Sequence, residues 1–194
     1  MTQPFLQMIN TRRSVRAYED RPVEQSLIQN VVEAGRHAPS GGNCQYTHFL
    51  VITDREVLAR LKDLVQQAFA AMEADEHTYK SLAHSINQSK KGSYDFIFNA
   101  PVLILTANRR GHGNAQADSA AAIENMLLAS HAQDLGACWI NQLKWLTAHP
   151  TVRKYLCSLG LGAEEDIFGG LCVGWPAKQS GAPLPRKGNP VTWI

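Results

Sequence analysis

The 194-residue sequence predicts one domain of α/β type, in which helices cover the faces of a sheet that contains parallel pairings. Three observations lead there. Short apolar runs at 48–53, 102–107, 137–140 and 170–175 read as strands. Helical patterns, not hairpin turns, separate them, and strand–helix–strand order favours parallel neighbours. The pattern over 117–135 is apolar around most of its circumference, so this helix belongs in the centre of the molecule.

The elements follow in order. Phe5, Leu6 and Ile9 stand at helical spacing and predict a short first helix that stops before a cluster of arginines. Leu27, Ile28, Val31, Val32 and Ala34 give an amphipathic helix over 24–37, with Pro22 upstream and Pro39 at its end. Residues 38–43 form a loop, because Pro39, Gly41 and Gly42 cannot continue a helix. After the 48–53 strand, Asp54 is an N-cap for a helix that carries Val57, Leu58, Leu61, Leu64, Val65, Ala68 and Phe69 and runs to about residue 74. The polar stretch 75–93 is either a solvated helix or a mobile lid-like excursion. A second loop at 109–114 precedes the central helix, which Gly136 stops. A short helix at 150–159 ends at Gly160, and a proline-rich tail begins at Pro176. No repeat or linker divides residues 1–194.

Bulk properties exclude several function classes. Lys plus Arg number 19 against 17 acidic residues, a net charge of +2, too small to argue for nucleic acid or an anionic membrane. The four cysteines lack Cys-x-x-Cys spacing, and His77, His84 and His131 share no ligand spacing, so no metal is expected and the thiols are expected to be free. Neither a secretory leader at Met1–Pro4 nor a membrane-length apolar run is visible, which points to the cytoplasm.

Two motifs could carry chemistry. In an extended Arg12-Arg13-Ser14-Val15-Arg16 segment, Arg12, Ser14 and Arg16 face one way and Arg13 and Val15 the other. Two guanidiniums flanking a hydroxyl suit a phosphate, although a basic run at a helix end is also an ordinary solvated surface. The loop Pro39-Ser40-Gly41-Gly42-Asn43-Cys44-Gln45 combines glycines that permit close backbone approach with polar side chains, and is equally explicable as a helix stop. His37 suits a helix C-terminus, His112 an exposed loop, and Trp139 and Trp175 a core or interface. Trp193 near the terminus needs cover, for which a partner subunit is suitable. No triad, paired-carboxylate site or Gly-x-Gly-x-x-Gly fingerprint is present.

Taken together, Arg-Arg-Ser-x-Arg and Ala-Pro-Ser-x-x-Asn-x-Gln resemble the nitroreductase family. Further landmarks follow in order: the Pro101-led strand, the helix bearing Asp118 and Asn125, Gly136-Ala137-Cys138-Trp139, and Val173-Gly174-Trp175-Pro176. The resemblance implies an α+β fold with a central mixed β-sheet flanked by helices, assembled as an obligate homodimer with FMN at the subunit interface. It places Arg12, Ser14 and Arg16, in a cluster that includes Arg13, on the flavin phosphate and pyrimidine edge. Pro39, Ser40, Gly41, Asn43 and Gln45 would touch flavin in part from the partner subunit. Ile140, Asn141 and Gln142 would present backbone amides to flavin N5, and Arg186 or Lys187 would reach the phosphate. The implied activity is transfer of reducing equivalents from NADH or NADPH through flavin N5 to a nitroaromatic, quinone or similar small acceptor by a ping-pong route, with no catalytic side chain. The alternatives are a specialised flavoenzyme of the same superfamily (dehydrogenase, dehalogenase or flavin-fragmenting), a flavin-binding protein without turnover, and a phosphate-ligand module without flavin.

Overall fold

A computed structural model describes residues 4–178, 181–183 and 185–194. Met1, Thr2 and Gln3, where no leader is expected, and Gln179, Ser180 and Leu184 of the tail lie outside the described residues. The elements are α1 (Pro4–Thr11), α2 (Gln25–Arg36), β1 (His48–Ile52), α3 (Arg55–Ala70), α4 (Lys80–Lys90), β2 (Val102–Arg109), α5 (Ala115–Ala132), β3 (Gly136–Ile140), α6 (Gln142–Trp145), α7 (Pro150–Ser158) and β4 (Glu165–Gly174).

The sheet has the order β1-β2-β4-β3, and each neighbouring pair is antiparallel. This corrects the expectation of parallel pairings between strands. The physical reason lies in how many helices intervene. Two helices, α3 and α4, separate β1 from β2, so the chain returns in the opposite sense; α6 and α7 do the same between β3 and β4. Only α5 separates β2 from β3, which therefore point the same way, but β4 inserts between them. Among the described residues the one parallel contact is the isolated bridge of Ser14 with Ala137, where the arginine segment runs beside β3.

Alternation along the strands divides the core between the two faces. Leu103, Leu105 and Ala107 of β2 join Leu50, Ile52, Cys138, Ile140 and Cys172 on the face covered by α3, α4, α6 and α7. Val102 and Ile104 join Ala137, Leu171 and Val173 on the face covered by α2 and α5. Asp54 caps α3 as expected, its Oδ1 accepting from Glu56 N at 2.8 Å and Val57 N at 3.0 Å. The same helix buries Leu58, Leu61, Leu64, Val65, Ala68 and Phe69.

The polar 75–93 stretch resolves into α4, a helix whose inner face is Ser85, Ile86 and Ser89. Central α5 buries Ala115, Asp118, Ser119, Ala122, Ile123, Met126, Leu127 and Ser130. Its end is set by Asp134 at φ 59° rather than by Gly136, which opens β3. By contrast α1 buries no residue and leaves Phe5, Leu6 and Ile9 exposed.

Candidate functional site

The arginine segment leaves α1 extended and is fastened to β3 by Val15 N donating to Ala137 O at 3.0 Å. Val15 packs directly on Gly136: a Cβ there would lie 2.7 Å from Val15 Cγ1. With Val15 pinned inward, its neighbours Ser14 and Arg16 are exposed. Arg13 turns back to α1, Nη1 donating to Arg12 O and Nη2 to Asn10 O at 3.2 Å, which serves the carbonyl end of that helix.

Arg12, Ser14 and Arg16 converge instead on Cys138. A hydrogen bond from Cys172 contributes most to holding the Cys138 thiol low, at about 7, with further help from Arg16, Ser14 and Arg12 and against the effect of burial. Cys172, the cross-strand partner of Cys138, is pushed up by its burial. Tyr18 closes the group, its hydroxyl donating to Val15 O at 2.6 Å and lying 3.4 Å from Cys172 Sγ; burial raises its pKa.

Two hollows meet at Arg16. One, of about 370 Å³, is lined by Arg13, Ser14, Val15 and Arg16 together with Lys178 of the tail. The other, of about 410 Å³, joins Arg16 to Cys138 and the Ile140-Asn141-Gln142 turn, and is closed by α4. A polar chain ties that turn to α4. Gln142 Nε2 donates to Tyr94 Oη at 2.8 Å, Tyr94 Oη lies 2.8 Å from Ser85 Oγ, and Gln142 Oε1 accepts from Asn141 N at 3.0 Å.

The Pro39–Gln45 loop lies elsewhere on the chain. Pro39, Ser40, Asn43 and Gln45 line a separate hollow of about 490 Å³ with Asp118. Gly42, Asn43 and Gln45 take left-handed φ values of 59°, 54° and 53°, and Gly41 rests so closely on Asn114 that any Cβ would overlap its side chain. The buried Asp118 carboxylate holds the loop by accepting from Gly41 N at 2.9 Å and facing His112 Nε2 at 3.1 Å. His112 is therefore half-buried, against its expected exposure, because Asp118 and an edge-on Tyr46 ring 5.5 Å away enclose it.

A single chain thus brings Arg16 together with Ile140, Asn141 and Gln142, but not with the Pro39–Gln45 loop. Arg186 and Lys187 are exposed, and the basic tail residue that lines the hollow at the arginine segment, among the described residues, is Lys178, which sequence reasoning passed over. Its only signal was a basic residue just beyond Val173-Gly174-Trp175-Pro176. Among the described residues all four cysteines are free, no His/Cys/Asp/Glu cluster could hold a metal, and no helix is long and apolar enough to cross a membrane.

The arrangement also fits a bound anion. Arg12 Nη1 is buried with no hydrogen-bond partner, its guanidinium reaching only Glu124 at 3.9 Å through Nε. A buried guanidinium N–H without an acceptor is costly, and an oxyanion from a ligand would satisfy it.

Comparison with known proteins points the same way. The model of the Nitroreductase family matches residues 9–175. A nitroreductase with bound FMN from Bacteroides fragilis superposes with a TM-score of 0.89 at 30% identity, covering 100% of both chains. The 4-nitrobenzoate reductase of Nocardioides sp. is 28% identical, over 84% of this chain and 81% of that protein. Human iodotyrosine deiodinase 1 is 26% identical over 96% of this chain, which spans 66% of that longer protein.

Proposed function

Because this chain belongs to the nitroreductase family, we propose that it is an FMN-dependent oxidoreductase that carries reducing equivalents from NADH or NADPH to a nitroaromatic, quinone or similar acceptor. The observation that carries this reading is the partnerless, buried Arg12 Nη1, in the segment that also presents Ser14 and Arg16. When bound, FMN supplies N5, the atom that accepts hydride from a nicotinamide and returns reducing equivalents to a second substrate.

The tasks left to the chain follow from the residues. Arg12, Ser14 and Arg16, with Lys178, hold the phosphate and offset negative charge on the pyrimidine edge. Asn141 N–H is already bonded to Gln142 Oε1. Gln142, the first residue of α6, carries an N–H that the helix leaves unpaired and that would be free to donate to bound flavin. Arg186 and Lys187 are the further candidates for the phosphate. The Ser85–Tyr94–Gln142 chain keeps the 75–93 segment closed over one side and limits water there. One open face then serves donor and acceptor in turn, which makes the kinetics ping-pong.

The Pro39, Ser40, Gly41, Asn43 and Gln45 loop completes the site from a second copy of the chain. Support for a homodimer comes from the uncovered apolar surface: Phe5, Leu6 and Ile9 on α1, and Val191 and Trp193 in the tail, the last 91% exposed. The free cysteines fit a reducing cytoplasm. The likeness to a deiodinase makes reductive dehalogenation the second reading for the acceptor.

The test is purification, FMN loading and anaerobic titration with NADH and NADPH, followed by nitroaromatic, quinone and halophenol acceptors. Flavin uptake, bleaching by a nicotinamide and reoxidation by one acceptor class are expected. Arg12→Ala and Arg16→Ala should each weaken FMN binding by at least tenfold, because a charge-assisted contact contributes about 1.5–3 kcal/mol. Protein that takes up no FMN, or a monomeric holoprotein in sedimentation, would overturn the assignment.

A further inference from the structure

The hollow at Arg16 and the Ile140–Gln142 turn has a second wall that the flavin assignment leaves unused. It comes from α4 and α6 and presents Lys80, His84 and Trp145. Lys80 and His84 are one helical turn apart, so both look into the same space from one face of α4. Lys90, at the far end of the same helix, pairs instead with Glu73 at 2.7 Å. No carboxylate reaches Lys80 or His84 among the described ion pairs, and none lines the hollow.

The rest of the wall is aromatic. Trp145 stands edge-on to Tyr79 at 6.1 Å and to Phe69 at 6.4 Å. Phe98, under the Arg16 guanidinium at 6.0 Å, lines the same hollow. The wall is also anchored, because Ser85, one residue beyond His84, is bound through Tyr94 to Gln142. A cation and an imidazole held beside aromatic surface, with no carboxylate lining the hollow, suit a flat ring that carries negative charge.

We propose that the acceptor site selects aromatic anions, such as ring carboxylates, with Lys80 and His84 reading the anionic group. This rests on the flavoenzyme assignment above and narrows its acceptor. Lys80 supplies the counter-charge and His84 an N–H donor, while Trp145 meets the ring.

The test uses FMN-loaded protein and ligands that cannot be reduced, read as perturbation of the bound flavin spectrum without turnover. Benzoate should bind about tenfold more tightly than benzamide, and benzylamine more weakly than either. Lys80→Met should abolish the preference for benzoate over benzamide, Lys80→Glu should reverse it in favour of benzylamine, and His84→Gln should reduce it. Because Lys80 and His84 are exposed, these variants test binding without emptying the core. Equal binding of benzoate and benzamide by the wild type, or a preference that survives Lys80→Met, overturns the proposal. So does a loss confined to NADH or NADPH affinity, which would assign the same cations to the phosphates of the nucleotide. Failure to take up FMN overturns the flavoenzyme assignment and this inference with it; flavin uptake without anion preference overturns this inference alone.

Discussion

Gly136→Ala should loosen the hold on FMN from a position that bears none of the proposed cofactor-binding side chains. A Cβ at residue 136 would lie 2.7 Å from Val15 Cγ1, 2.8 Å from Val15 Cβ and 3.0 Å from Val15 Cγ2. Ordinary carbon contacts begin near 3.5 Å, so Val15 must retreat by roughly 0.8 Å. Rotating the side chain does not help, because Val15 Cβ itself is too close and a β-branched residue has little rotamer freedom. The backbone must lift off β3, stretching the bond from Val15 N to Ala137 O, now 3.0 Å. Overpacking of this kind costs about 1–3 kcal/mol, which lowers the melting temperature of a chain this size by roughly 3–10 °C. Ser14 and Arg16 move with Val15, and a phosphate contact lengthened by that amount is lost. The expected loss of about 2 kcal/mol corresponds to roughly 30-fold weaker FMN binding. Titrating apoprotein with FMN and following fluorescence quenching measures it directly. Adding Val15→Gly to Gly136→Ala should bring affinity back to within about threefold of wild type, since the offending Cβ and both methyls are gone. Wild-type affinity and melting temperature in Gly136→Ala, or no recovery in the double variant, would refute the coupling of the arginine segment to β3.

Asp118→Ala leaves Gly41 N–H and His112 without their shared acceptor, so unfolding free energy in urea should fall by about 2–4 kcal/mol; a fall below about 1 kcal/mol would show that the loop is held otherwise. Asp166 accepts from Arg153 Nη1 at 3.0 Å and from Arg110 Nη2 at 3.2 Å, and Arg110 first, then Arg153, holds its carboxyl below the usual 3.8. A carboxylate depressed in the fold stabilises it fully above its ordinary value and loses that contribution as pH falls through the folded one. Asp166→Asn should therefore cost about 1 kcal/mol at pH 7, with the melting-temperature gap to wild type closing as pH falls below the ordinary carboxylate range; a gap that stays constant contradicts the ion pairs. Cys138, lowered to about 7 chiefly by Cys172, should give a thiolate absorbance step near neutral pH in apoprotein that Cys138→Ser lacks. Because its folded value is depressed, the stabilisation it brings is complete above the unfolded thiol range near 8.5 and lost as pH falls through the folded value. Coincident titrations of wild type and Cys138→Ser would refute the lowered Cys138 thiol and the hydrogen bond from Cys172 that chiefly sets it.

Local periodicity and turn chemistry carried much of this protein into view from its sequence alone. The Asp54 cap, the buried stripe of α3, the apolar cores of all four strands and the central place of α5 depend on residues close in the chain, where side-chain spacing dictates burial. The inward Val15 and the outward Ser14 and Arg16 follow from the same two-residue alternation. What depends on distant partners was decided only by tertiary structure. That no neighbouring pair is parallel depends on β4 entering between the like-directed β2 and β3, which no local pattern records. The first half of β4, Glu165 and Asp166 included, lies outside the apolar run at 170–175, because its polar residues become strand only where His48, Arg110 and Arg153 supply their counterparts. Lys178 beside Arg16, the Asp118 grip on Gly41, and Lys80 and His84 facing the 140–142 turn are likewise contacts across large sequence separations. The arginine segment could be recognised as a candidate anion site from five residues. Its uncompensated buried nitrogen exists only once α1, β3 and Glu124 of α5 have closed around Arg12.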